Sequence, residues 1–156
     1  MQPCLLLILA LLGLVSASHP GSAPHHSQEV PADAAKEGRK FIYKVVNKYR
    51  SYSNAQWHCQ NVLRGQLASV HSAARNTELK KLARTYTYSP VWIGAFTSRR
   101  EGQWGSQWED ASPWNYANWA PNHPHHILTT CTTLSPQDGL WRSKPCFLRR
   151  PFICQY

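Results

Sequence analysis

The chain has 156 residues, within the range of a single domain with one modest core. Lys and Arg total 17 against 8 Asp and Glu, a formal charge of +9, and 42% of the residues are apolar, including seven Trp and seven Tyr. This composition is too aromatic for a disordered basic tail and the chain too short for a multidomain enzyme, and beyond the N-terminus no run of about 18 apolar residues could span a membrane.

Leu5 to Val15 is almost wholly apolar, and Val15 and Ala17 precede Ser18 in an A-x-A-like arrangement. The pattern predicts a signal peptide over residues 1–17, although its first residues carry no Lys or Arg. A membrane anchor is the competing reading, disfavoured by the short run and the missing basic stop. Cleavage would remove Cys4 and leave Cys59, Cys131, Cys146 and Cys154, an even set that in a secreted chain reads as two disulfides with three possible pairings. There is no C-x-x-C pair to suggest a zinc ribbon or redox site, and no N-x-[ST] sequon. Residues 18–38 are small, polar and Pro-containing, with one Lys against Glu29, Asp33 and Glu37, and read as a flexible leader or short propeptide. From Arg39 onward, 16 basic residues face 5 acidic ones, so the expected domain over 39–156 carries +11.

Phe41 to Val46 reads as an opening strand. Ser53 and Gln56 form a capping-box pattern ahead of a helix whose Ala55, His58, Cys59, Val62 and Leu63 share a face, with Gly65 as the stop. Leu67 to Val70 is a short strand candidate. A second helix is expected after Ser72, with Leu79, Leu82, Ala83 and Tyr86 on one face and Pro90 barring its continuation. Val91 to Gly94 has the texture of a buried strand. Thr97 to Thr129, rich in Gly, Pro, Asn, Ser and Trp, has no helical period and reads as a long irregular region of functional or family-specific character. Three short strands are expected over Thr130–Leu134, Leu140–Lys144 and Pro151–Gln155. The order makes the fold α+β.

Together, the helix carrying Cys59, the strand Trp92-Ile93-Gly94, the segment Trp114-Asn115-Tyr116-Ala117-Asn118-Trp119, then Cys131, Trp141, Cys146 and the ending Pro151-Phe152-Ile153-Cys154 resemble the C-type lectin-like domain. The match covers about residues 40 to 156. It implies two helices with small antiparallel sheets and a long loop region, and disulfides Cys59–Cys154 and Cys131–Cys146.

The resemblance also locates where sugar-binding members hold Ca²⁺ with hard oxygen ligands. The first ligand motif, Glu-Pro-Asn or Gln-Pro-Asp, falls on His123-Pro124-His125. The acidic position before the third Cys falls on Thr129, and the Asn-Asp after the Trp falls on Arg142-Ser143. None is a carboxylate, and Arg142 would repel the ion. Calcium-dependent sugar binding is therefore not expected, and no metal or cofactor is expected.

Arg99, Arg100, Arg142, Lys144, Arg149 and Arg150, with His123 and His125, are the candidate anion-binding residues. Arg forks match sulfate and phosphate oxygens in bidentate geometry, and a +11 domain attracts polyanions at long range. A solvated basic surface without a ligand is the plain alternative, and it is the preferred reading of Lys80, Lys81 and Arg84. His123, His125 and His126 lie close in sequence, but without a neighbouring Cys or carboxylate they make a weak metal site. They could instead add charge below about pH 6 and strengthen polyanion binding. His58 and His71 are expected in the core or on a helix face, and most of Trp92, Trp104, Trp108, Trp114, Trp119 and Trp141 in the core. The expectation is a secreted protein of immune defence, stored in secretory granules, that binds sulfated glycosaminoglycans such as heparin or heparan sulfate, or other polyanions, without calcium. The alternative is an antimicrobial, cytotoxic protein that damages anionic membranes. Neither enzymatic activity nor sequence-specific nucleic-acid binding is expected: no His pair, triad or carboxylate dyad stands at a telling spacing.

Overall fold

A computed structural model describes residues 40–156. The expected signal peptide and leader, with Cys4, His25 and His26, lie outside the described residues. The chain runs β1 (Tyr43–Arg50), α1 (Tyr52–Asn61), β2 (Gln66–Leu67), α2 (Ala73–Tyr86), β3 (Val91–Arg100), β4 (Gln103–Trp108), β5 (Thr130–Leu134), β6 (Trp141–Lys144) and β7 (Arg150–Gln155). The sheet path is β1-β7-β3-β5-β6, with β2 added to β7 and β4 to β3. This is the α+β architecture expected. No helix among the described residues is long and apolar enough to cross a membrane.

Several local expectations change. The cap of α1 is Ser51, whose hydroxyl accepts the Asn54 N–H, rather than Ser53. Helix α1 buries Tyr52, Ala55, Gln56 and Cys59, whereas Val62 is exposed. Gln56 faces inward because its side-chain oxygen accepts the Leu67 N–H at 2.8 Å, which a periodicity argument blind to polar pairing cannot register. Gly65 does not supply the helix stop: the helix ends at Asn61, and Arg64 takes the left-handed conformation at φ 58°. Gly65 is required instead by close approach, since a Cβ there would sit 1.9 Å from the Gln155 carbonyl oxygen. The strand expected over Leu67–Val70 shrinks to Gln66–Leu67.

The largest correction concerns the region read as irregular from Thr97. Thr97–Arg100 continues β3, and Gln103–Trp108 pairs with it as an antiparallel hairpin from Ala95↔Trp108 to Arg100↔Gln103. Glu101 and Gly102 turn the hairpin with φ of 49° and 79°. Cross-strand pairing stabilises a Gly-, Ser- and Gln-rich segment whose own propensity is poor.

Two cores flank the sheet. One gathers Val45, Val70, Leu79, Ala83, Ile93, Trp108, Leu134, Trp141 and Ile153 beneath α2. The other gathers Val46, Tyr52, Ala55, Cys59, Leu67, Trp92 and Phe152 beneath α1. The disulfides are Cys59–Cys154, which ties α1 to β7, and Cys131–Cys146, which joins the start of β5 to the segment after β6. Both are the pairings implied by the family resemblance. The second closes a separation of 15 residues, worth about 3 kcal/mol by chain entropy.

Candidate anion-binding face

The long loop after β4 is built on Trp141. This side chain is fully buried and meets Trp108, Trp114, Tyr116 and Trp119 at ring-centroid distances of 5.5 to 6.0 Å. Its indole N–H donates to Asn76 Oδ1 at 2.7 Å, and Asn76 Nδ2 donates to the Gly139 carbonyl at 2.9 Å, which pins α2 beneath the loop. Of the six framework Trp, Trp92, Trp108 and Trp141 are buried, while Trp104 and Trp119 are half-buried and Trp114 is exposed.

Asp110 anchors the loop's beginning. Its carboxylate accepts Ser69 Oγ at 2.7 Å, Gln155 Nε2 at 2.9 Å and the Ser112 N–H at 2.9 Å, as well as the Ser112 hydroxyl. Burial pushes this carboxyl's pKa up, but the hydrogen bonds from Ser112, Ser69 and Gln155 outweigh it and hold the pKa below the ordinary Asp value. His71 is not a core residue. Half-buried, it bridges Asn115 Oδ1 at 2.7 Å and Ser69 Oγ at 3.2 Å, joining the loop to the segment before α2.

Further on, the loop is stitched along β6. The Ala120 N–H donates to the Trp141 carbonyl, the Ser143 N–H donates to His123 Nδ1 at 2.9 Å, and the His125 N–H donates to Ser143 Oγ at 3.0 Å. The His123–Pro124 peptide is cis. The His123 and His125 rings stack at 4.3 Å. Burial lowers the His123 pKa, and the nearby positive charges of His125, Arg142 and Lys144 lower it further. His123 thus lies close to His125, Arg142 and Lys144. Trp104 stacks on His126 at 5.5 Å with the rings almost parallel, and so joins the β3–β4 hairpin to this loop. Arg99 lies directly opposite Trp104 and shares its face, whereas Arg100 lies opposite Gln103 on the other face.

Arg142 is not a free cation. Its guanidinium takes Asp138 in a fork, Nη2 to Oδ2 at 2.8 Å and Nη1 to Oδ1 at 3.3 Å. The Arg142 hydrogen bond is the main reason the Asp138 carboxyl falls to about 2. Arg149 is exposed, and Arg150 opens β7 and lies directly opposite Arg50 of β1. The candidate residues thus divide, with His123, His125, Arg142 and Lys144 together, Arg99 joined through the Trp104–His126 stack, and Arg150 paired with Arg50. Sequence reasoning missed the Trp104 and Asp138 contributions. The Asp138-Gly139 turn ahead of Trp141 was the available signal for the second.

The residues at the family's calcium positions do not fit the ion. His123 uses Nδ1 to accept a backbone N–H, Thr129 supplies no charge, and Arg142 is a cation already bonded to a carboxylate. Among the described residues, no group of three or more His, Cys, Asp or Glu could hold a metal ion.

Comparison with known proteins agrees with this geometry. The model of the Lectin C-type domain matches residues 48–156. Bone marrow proteoglycan of Rattus norvegicus is 38% identical over 118 residues, which is 73% of this chain and 50% of that protein. Eosinophil granule major basic protein 1 of Cavia porcellus is 36% identical over 116 residues, again 73% of this chain and 50% of that one. The chain spans about half the length of these curated relatives. Among solved structures, human lithostathine superposes with a TM-score of 0.67 at 25% identity, covering 76% of this chain and 84% of that one. The cow C-type carbohydrate-recognition domain of CD23 gives 0.64 at 26%, covering 76% and 88%. With its two cores, both disulfides and the Trp141-centred loop in place, the chain belongs to the C-type lectin domain family.

Proposed function

We propose that this protein binds sulfated glycans of the heparin or heparan sulfate class without calcium, through the face formed by the 118–126 loop, β6 and the β3–β4 hairpin. The observation that carries this reading is the placement of the stacked His123 and His125 rings on β6 beside Arg142 and Lys144, where the family would hold a cation. An Arg fork and a Lys point charge suit sulfate oxygens, and the half-buried Trp104 beside Arg99 offers an aromatic plane to a sugar ring. The relationship to bone marrow proteoglycan and to eosinophil granule major basic protein supports a secreted, granule-stored protein of immune defence that acts as a binding module rather than an enzyme. Heparin affinity measured with and without EDTA across salt concentrations tests the reading. Indifference to EDTA, a steep salt slope and a loss of about tenfold or more in an R142Q/K144Q double variant are expected. Loss of binding in EDTA overturns it. If the loop histidines contribute, affinity also rises between pH 7.4 and 5.5.

A second reading rests on a different observation. Ile127, Leu128 and Phe147 are all strongly exposed, near the ends of the Cys131–Cys146 bridge and close in sequence to Lys144 and Arg149. Apolar side chains with a cationic rim suit an anionic lipid surface. Leakage from anionic vesicles, abolished by an I127S/L128S/F147S variant, would favour membrane damage; heparin binding without leakage would exclude it.

A further inference from the structure

A second concentration of positive charge begins with β1. Residues 40–77 contain Lys40, Lys44, Lys48, Arg50, Arg64 and Arg75 and no Asp or Glu. Three of these cations lie along β1. Lys44 shares the side of Val46, which packs into the core beneath α1, and the β1–β7 register then shifts between Val46 and Arg50, where Lys48 lies. His58 of α1 packs edge-on against Phe152, the residue opposite Val46. Its pKa is lowered first by burial and then by Lys48, Arg50 and Lys44, so all three charges reach one imidazole. Lys44, Lys48 and Arg50 are exposed, and the strip from Lys44 to Arg50 is about 20 Å long at the rise of a strand.

At its end, Arg50 and Arg150 stand directly opposite each other in the β1–β7 pair. Like charges in that relation repel. Among the described residues the ion pairs are Arg75–Glu78 and Arg142–Asp138, so neither arginine has a carboxylate within salt-bridge distance. Arg50 Nη1 donates to the Tyr49 carbonyl, and the buried Arg150 Nε makes no hydrogen bond. Lys on an edge strand can serve to discourage sheet-to-sheet pairing, but that role does not call for two arginines in register. A sulfate or other oxyanion seated beside the two guanidinium groups would relieve the repulsion.

We propose that β1 and the start of β7 form a second polyanion-binding strip, centred on the Arg50–Arg150 pair and extended by Lys48 and Lys44. The strip comes near the loop face at its Arg50 end, where the Tyr52 N–H donates to the Cys146 carbonyl at 3.0 Å, and runs away from it along β1 for about 20 Å to Lys44. Its length beyond the loop face lets one domain engage two segments of polyanion and bridge two chains. The strip stands on its own residues and does not depend on the loop-face reading.

Calorimetric titration of the intact protein with a short heparin oligosaccharide, compared among wild type, a K44S/K48S/R50S strip variant and the R142Q/K144Q loop variant, decides it. Two oligosaccharides per wild-type protein are expected and one for each variant, with the strip variant losing up to about 2.7 powers of salt dependence. Full-length heparin should cross-link wild type into scattering particles and fail to do so with either variant. Thermal melting adds a readout that a structural role would not move. R50Q should leave the unliganded protein as stable as wild type or more so, yet shrink the heparin-induced rise in Tm. One oligosaccharide per wild-type protein, unaffected in the strip variant and lost in the loop variant, overturns the strip and leaves the loop reading intact. The reverse pattern overturns the loop reading and leaves the strip. No binding at all overturns both.

Discussion

Asp138 restrains Arg142, a cation of the proposed loop face, and replacing it by Asn isolates that restraint. In D138N the side chain keeps an oxygen for the Leu140 N–H, now accepted at 2.9 Å, and loses the charge that holds the Arg142 fork. The pair is one-third to two-fifths exposed, so the stability lost should stay within about 1 kcal/mol. Binding should respond more strongly. One additional cation free to neutralise a sulfate steepens log affinity against log salt by about 0.9, so the affinity ratio between 50 and 200 mM salt widens about 3.5-fold. Because the Asp138 carboxyl lies at about 2, acidification to pH 5.5 leaves the pair ionised, and the variant separates this effect from any histidine contribution. Calorimetry with heparin at four salt concentrations reads the slope. An unchanged slope in D138N together with unchanged affinity in R142Q would refute the reasoning, because Arg142 would then lie outside the bound surface.

Three further outcomes concern the scaffold. N76A leaves the buried Trp141 N–H without its acceptor and should cost about 1–3 kcal/mol, read as a lower urea midpoint at unchanged m-value. G65A forces a Cβ into the Gln155 carbonyl and should destabilise by about 1–3 kcal/mol or more; a melting temperature equal to wild type would show that β7 yields there. The Asp110 carboxyl is depressed in the folded state, so its contribution to stability is present above the unfolded value of about 3.9 and is lost as pH falls through the folded one. D110N should therefore be less stable at pH 7 and show a shallower acid limb, measured by denaturation between pH 2 and 7.

Local and compositional signals carried much of this protein. The second helix is capped by Ser72 as expected, because a hydroxyl accepting the Arg75 N–H is a contact within one turn. The apolar texture of Val91 to Gly94 marks a strand buried on both sides, and all four residues are buried. The concentration of charge after residue 38 and the loss of carboxylates at the family's calcium positions were likewise open to inspection. What escaped depends on partners distant in the chain. Thr97 to Trp108 has no pattern of its own and is a hairpin because β3 is already held by β5 and β7. Trp104 belongs to the candidate site only because His126 comes to lie on it. Charge shows the same division most clearly. The residues alone determine that the domain is basic, since net charge is a sum over the chain. Tertiary structure decides that Arg142 is tethered to Asp138 while Arg50 faces Arg150, because pairing depends on distances of a few ångströms that only packing sets.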